Sequence, residues 1–329
     1  MRMAMIGCSA MQIVVNKQRM PLVSMTGGAF GYGRIPTTAD ITGVPAYYTS
    51  NSGFLLNQPG FSGSTIELKN STNIGNNTVI RTYTGIGTGW NFAHDKDLDS
   101  NVIYKMPEGS RVLTKYTLAK GGTTATATTI TTYSGATTSV LGACYAPTCM
   151  WSGTGYGAFI IGGFNQSVIH ILEWSSAAKT AIGATYTASI GSGEVYGTEV
   201  IPRQASGFTQ HFGVYYTRNT KTIGSFTVNM DTRSWTNLNA TTTYTSGTNG
   251  PSNGDSMIYY PPGKAIFTGD PDTTTNRIGM NDTSSAFLYV WTVTQSGNAL
   301  VFTYLKRVTL GGNAHFPYHL SATAYNAIV

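Results

Sequence analysis

Short apolar runs, each closed by Gly, Pro, Asn or Ser, recur along the whole chain, and they recur in register. Two bulky apolar residues flanking one other residue appear as Ile66/Leu68, Tyr116/Leu118, Ile169/Ile171, Phe226/Val228 and Trp291/Val293. A Thr-Tyr pair follows each: Thr82-Tyr83, Thr132-Tyr133, Thr185-Tyr186, Thr243-Tyr244 and Thr303-Tyr304. In the first three units the offset to the tyrosine is 17 residues. Upstream lies a third run after a small or turn residue: Phe54-Leu55-Leu56, Val102-Ile103-Tyr104, Ala158-Phe159-Ile160, Gly213-Val214-Tyr215 and Lys264-Ala265-Ile266-Phe267. It returns at the C-terminus as Asn326-Ala327-Ile328-Val329. Some units add a fourth run ahead of these, such as Ala46-Tyr47-Tyr48 or Ile258-Tyr259-Tyr260, joined through turns such as Asn51-Ser52-Gly53 and Pro261-Pro262-Gly263. Runs this short, bounded by turn residues, are strands rather than helices.

Four short strands in about 50 to 65 residues is the period of a propeller blade. The unbroken apolar character of the middle runs, such as Phe159-Ile160-Ile161, suits strands covered on both faces. Thr-rich stretches such as 123–132 suit an outer strand of modest burial. The pattern predicts one all-β domain over 1–329, a six-bladed β-propeller of four-stranded antiparallel blades. Five units span roughly 40–85, 88–136, 142–190, 196–248 and 253–309. The sixth is expected to be stitched from 315–329 and 1–30, with Met11-Gln12-Ile13 and Ser24-Met25-Thr26 as its last two strands. Closure of that kind removes free sheet edges, and it gives the apolar N-terminus a role other than a secretory signal.

Composition narrows the function classes. Of 329 residues only 10% are charged, while Gly contributes 39 and Tyr 20. That is strand-and-turn chemistry with a surface of hydroxyls and amides. The net charge is +6, yet the 20 Lys and Arg residues are scattered, which argues against nucleic acid as a partner. No apolar run reaches the roughly 18 residues of a membrane span. Cys8, Cys144 and Cys149 are too few for a disulfide framework and read as small apolar residues.

Two segments carry candidate chemistry. In 94–101, Asp95, Asp97, Asp99 and Asn101 place oxygen side chains at alternate positions, a spacing that can wrap a structural Ca2+. This resembles the start of an EF-hand-type loop, without its Gly at the sixth position and with Met106 at the twelfth. The insertion 268–285, expected between the second and third strands of the fifth unit, carries Asp270, Asp272, Asn276, Arg277 and Asp282, a mixture suited to sugar hydroxyls or a partner protein. Nucleophile-elbow, phosphate-loop and His-Glu-x-x-His motifs do not occur. The Thr-Tyr tyrosines, recurring at one strand position, are assigned to contacts between blades.

Gly162-Gly163 after one second strand and Asp231-Thr232-Arg233-Ser234-Trp235 after one third strand resemble kelch or galactose-oxidase-type repeats. The Gly/Thr/Ser/Asn/Tyr-rich, charge-poor chain also resembles bacteriophage virion proteins of the tail, fibre or head-decoration kind. Those resemblances imply a propeller located in a virion. It would act without catalysis, binding a neighbouring virion protein or a host-surface glycan in receptor recognition, with no cofactor beyond a structural Ca2+. The rival reading is a secreted glycan-active enzyme, sialidase-like or kelch-oxidase-like, or a free lectin. A facing pair of carboxylates would mark it.

Overall fold

The computed structural model describes residues 52–59, 63–70, 78–89, 92–94, 101–106, 112–132, 140–146, 156–163, 167–175, 180–191, 193–203, 210–229, 234–254, 256–262, 274–282, 285–296, 299–309 and 315–329. In chain order the strands of the first half are β1 (Phe54–Gln58), β2 (Ile66–Asn70), β3 (Thr78–Tyr83), β4 (Ala93–His94), β5 (Val102–Lys105), β6 (Val112–Leu118), β7 (Ala125–Thr132), β8 (Val140–Ala146), β9 (Tyr156–Gly163), β10 (Val168–Ser175) and β11 (Thr180–Ser189). The second half holds β12 (Val195–Arg203), β13 (Gln210–Thr217), β14 (Thr222–Asn229), β15 (Ser234–Thr243), β16 (Met257–Tyr260), β17 (Asn276–Asp282), β18 (Phe287–Ser296), β19 (Ala299–Thr309) and β20 (His315–His319). A helix of about two turns, α1 (Ala322–Ile328), follows.

Among the described residues these strands form five four-stranded antiparallel sheets: β20-β1-β2-β3, then β4 to β7, β8 to β11, β12 to β15 and β16 to β19. We number them sheets 1 to 5. The first strands of sheets 2 to 5 touch in succession, β4 to β8, β8 to β12 and β12 to β16, and β16 touches β20 of sheet 1. Sheet 1 meets sheet 2 through a parallel bridge between Thr84 and Thr124 and through a shared cluster containing Leu56, Leu68, Ile103 and Tyr116. The ring therefore closes on five sheets about a common axis, an all-β propeller.

The expectation of six blades is corrected by this ring. Each apolar pair lies in a third strand: β2, β6, β10, β14 and β18. No sixth sheet is built from 315–329. Instead β20 adds to the inner edge of sheet 1, with Leu55 opposite His319 and Leu56 opposite Tyr318. A three-stranded unit with an open inner edge offers unpaired N–H and C=O groups, and the C-terminal strand satisfies them. Met11 to Ile13, Ser24 to Thr26 and Ala46 to Tyr48 lie outside the described residues.

The segment Asn326 to Val329, expected as a strand, is the end of α1. Leu320, Ala324 and Ile328 are buried at a spacing of four, so the apolar period is helical. Ser321 caps the helix, its hydroxyl accepting from the Ala324 N–H at 3.0 Å. Tyr325 stacks on Phe54 with ring centroids 3.9 Å apart. The Ile328 carbonyl, an orphan of the last turn, accepts from Arg81 Nη1 at 3.1 Å, Tyr83 Oη at 3.3 Å and the Gly121 N–H at 3.0 Å. One carbonyl thereby ties the helix to sheets 1 and 2.

Burial follows the layering. β16 and β17 are buried at every position, as strands covered on both faces must be. The outer strand β19 alternates instead, with Leu300 and Phe302 buried and Val301 and Thr303 exposed. The longest connection in the fifth unit joins its first and second strands, β16 and β17, and not its second and third as expected, because the second strand begins at Asn276.

Candidate binding face

Three groups of polar side chains sit where sheets meet. In the seam between sheets 1 and 2, Lys105 ends β5 and is buried. Its Nζ donates to Gln58 Oε1 at 2.9 Å and to the Gly63 carbonyl. Gln58 Nε2 in turn donates to the Gly89 carbonyl at 3.0 Å. Neutral oxygens solvate the ammonium, and burial pulls its pKa down from 10.5 to about 7.

In the seam between sheets 4 and 5, Glu199 stands in the inner strand β12, fully buried. Its Oε1 accepts from the Val200 N–H at 2.8 Å, and its Oε2 accepts from the Tyr259 N–H of β16 at 3.2 Å. A carboxylate of one sheet thus caps the inner edge of the next. Tyr259 Oη donates to Asn276 Oδ1 on β17. Burial first, then the neighbouring Glu199 charge, push the Tyr259 hydroxyl far above its usual range, so it remains a donor.

The third group lies at the rim of the same seam. Here β13 turns into β14, β17 turns into β18, and residues 244–256 carry the chain from sheet 4 to sheet 5. Arg218 lies over the Tyr196 ring at 3.9 Å and donates to Tyr196 Oη and, at 3.4 Å, to Asn253 Oδ1. Tyr196 Oη passes its proton bond to Glu194 Oε2 at 2.9 Å. Burial, ahead of the Glu194 hydrogen bond, raises that phenol to about 12 despite the opposing Arg218 charge. Lys221 Nζ donates to Ser246 Oγ at 2.7 Å, and Arg307 Nη1 donates to the Gly247 carbonyl at 3.3 Å. Arg307 also stacks on Phe287 at 4.1 Å. Buried Asp282 accepts from the Ser252 N–H at 2.8 Å, fixing the far side of the same connection.

The residues singled out from sequence are distributed differently. Asp95, Asp97 and Asp99 lie outside the described residues. Asn101 immediately precedes β5, where its Nδ2 donates to the Leu118 carbonyl at 2.6 Å and its own carbonyl accepts from the Leu118 N–H at 2.8 Å. That is a fastener between two strands. Among the described residues no group of three or more His, Cys, Asp and Glu side chains could hold a metal ion. Asp270 and Asp272 also lie outside the described residues. Asn276 and Arg277 are not loop residues: both are buried in β17, Asn276 bonded to Tyr259 and Arg277 opposite Tyr260. Of the Thr-Tyr tyrosines, Tyr83 and Tyr244 are buried in inter-sheet clusters and Tyr304 packs edge-on to Trp291 at 5.5 Å.

Glu199, Lys105 and the Arg218–Lys221–Arg307 rim were not singled out from sequence. Their signal was present for two of them. Glu199 is the one acid within the apolar run Val195 to Ile201, and Lys105 closes Val102-Ile103-Tyr104. A charge inside a doubly covered strand needs a partner across a seam. The rim residues come from segments far apart in sequence and carry no local mark.

Among the described residues no helix is long and apolar enough to cross a membrane. No protein-family model matches the chain, and no curated protein matches it in sequence. Solved structures do resemble it. Hydrazine synthase of Kuenenia stuttgartiensis is 11% identical, with 83% of this chain and 71% of that one covered and a TM-score of 0.42. The periplasmic gluconolactonase PpgL of Pseudomonas aeruginosa is 9% identical, with 80% and 84% covered and a TM-score of 0.40. The Dos1 propeller is 9% identical, with 79% and 57% covered and a TM-score of 0.38.

Proposed function

We propose that this chain is a non-enzymatic interaction module of a bacteriophage particle, a tail, fibre or decoration component. In this reading the ring is a rigid mount, and the rim between sheets 4 and 5 meets a neighbouring virion protein or a host-surface glycan. The observation that supports it most is where the chemistry-bearing side chains are spent. Glu199 accepts from the Val200 N–H of its own strand and from the Tyr259 N–H across a seam, and Lys105 donates to an amide and a carbonyl. Acid–base groups so engaged hold sheets together. The outward-facing chemistry of the rim is hydroxyl, amide, ammonium and guanidinium, the vocabulary of recognition. A composition with 10% charged residues fits contacts made by shape and hydrogen bonding, which salt screens little.

The test is particle association together with turnover. Tagged chain should co-sediment with assembled particles and appear at defined positions by electron microscopy, with no hydrolysis or oxidation across a glycan panel. Turnover by the purified chain, abolished by substitutions at its own carboxylates, would overturn the reading.

A further inference from the structure

Three basic side chains converge on one short connection. Arg218 and Lys221, from the β13–β14 turn, and Arg307, from β19, each donate into 246–253: to Asn253, Ser246 and Gly247 respectively. The Arg218 charge is met through Tyr196 by Glu194. Lys221 and Arg307 are exposed, and the oxygens they reach are neutral. Ser246 and Gly247 are adjacent in the chain, so both cations are anchored to one turn.

The backbone supplies an independent observation. Lys221 adopts φ 53°, one of two non-glycine residues with positive φ among those described; the other, Ala286, lies in the neighbouring β17–β18 turn. A lysine there costs about 1 kcal/mol relative to an unstrained residue. Glycine would close the turn without strain, so what this position gains is the side chain. Around the two cations, Thr220, Gly247 and Thr248 are exposed, and Asn249 Oδ1 already braces the turn by accepting from the Thr245 N–H. Arg307 is fixed in plane by Phe287, which presents its remaining donors at a set angle.

We propose that this rim binds an acidic saccharide, its carboxylate seated between Lys221 and Arg307 and its hydroxyls on the Thr220 and Thr248 side chains. The inference rests on the binding-module reading and names its ligand class. A polyphosphate backbone would call for a longer basic track than two paired cations, whereas a single carboxylate beside neutral hydrogen-bonding groups fits them.

The probe is a hyaluronate tetrasaccharide, compared by calorimetry at low salt with a neutral chito-oligosaccharide of equal length and with oligo-dT. Wild type should bind hyaluronate and not the neutral sugar. Lys221→Gly, which relieves the turn, and Arg307→Gln should each weaken binding about tenfold or more, the former without lowering the melting temperature. Failure to bind hyaluronate, equal binding of the neutral sugar, tighter binding of oligo-dT, or affinity untouched by both substitutions would each overturn the proposal. Particle association of the wild-type chain separates the two readings. Association without hyaluronate binding removes this ligand class and leaves the module standing, and absence of both removes both.

Discussion

The seam between sheets 4 and 5 and the seam between sheets 1 and 2 solve one packing problem in different ways. At the first, Tyr196, Ile201, Phe212, Val214, Tyr216, Ile278, Met280, Trp291 and Phe302 form an apolar layer, with Glu199 and Arg277 buried in the strands beside it and Arg218, Lys221 and Arg307 at its rim. There the buried carboxylate of Glu199 accepts from the Val200 and Tyr259 N–H groups. At the second, an ammonium group enters the seam itself and is solvated by Gln58 and Gly63. That seam is also where the chain closes on itself, with β20 completing sheet 1 and α1 bracing sheets 1 and 2 from one end. Both seams bury an apolar cluster, and the difference teaches that the closing part adds hydrogen bonds made late in the chain.

The largest effect is expected from breaking the closing side. Removing residues 315–329 takes away the inner strand of sheet 1 and the three bonds to the Ile328 carbonyl. Circular dichroism and thermal melting should show loss of the cooperative transition, since sheet 1 would be left with an open inner edge. A truncated chain that melts as the full one does would contradict the closure described here.

Trp291→Ala probes the other side. The indole is almost completely buried, edge-on to Tyr304, and donates from Nε1 to the Asn249 carbonyl at 2.9 Å. Its truncation should cost about 3–5 kcal/mol in urea unfolding and loosen the 245–250 turn. A loss below 1 kcal/mol would mean that the apolar seam is not what holds sheets 4 and 5.

Next comes the pH dependence that distinguishes the two seams. Burial lowers Lys105 from 10.5 to about 7, so between those values the unfolded chain carries a proton that the folded chain lacks. Stability should therefore rise as pH climbs from 7 towards 10.5, by at most about 1.4 kcal/mol per pH unit. Below pH 7 the folded state must hold the charge, and that contribution is absent. Lys105→Met should remove this slope. A slope unchanged in that variant would assign it to other groups.

The smallest effect is at the helix cap. Ser321→Ala removes the acceptor for the Ala324 N–H and should cost about 1 kcal/mol, read as a small drop in melting temperature. No measurable change would mean that packing of Phe54 on Tyr325 alone places α1.

Much of the ring was legible because its signals are local and repeated. Ile66/Leu68 through Trp291/Val293 mark third strands, since the doubly covered position selects the same residue types each time. The closure was not legible in the same way. Asn326 to Val329 copies the composition of a second strand, and only Leu320, Ala324 and Ile328 together betray the helical period. The blade count depended on that segment, so one misread run produced a sixth blade. Asn276 and Arg277 looked like recognition residues because polar side chains in a Thr- and Asp-rich stretch suggest a loop. Their burial in β17 reflects pairing with β16 and β18, which no local pattern announces. The rim cations are likewise brought together by topology alone.

The central claim is that the C-terminal strand completes the first sheet of a five-membered ring. Leu55→Cys with His319→Cys tests it, in a chain whose Cys8, Cys144 and Cys149 are replaced by serine. These positions are direct partners on β1 and β20, within the Cα separation that a disulfide spans. Mild oxidation of the folded protein should give a complete intramolecular crosslink and a higher melting temperature. If the two thiols stay reduced while the fold is intact, the C-terminal strand lies in some other sheet, and the five-membered closure is wrong.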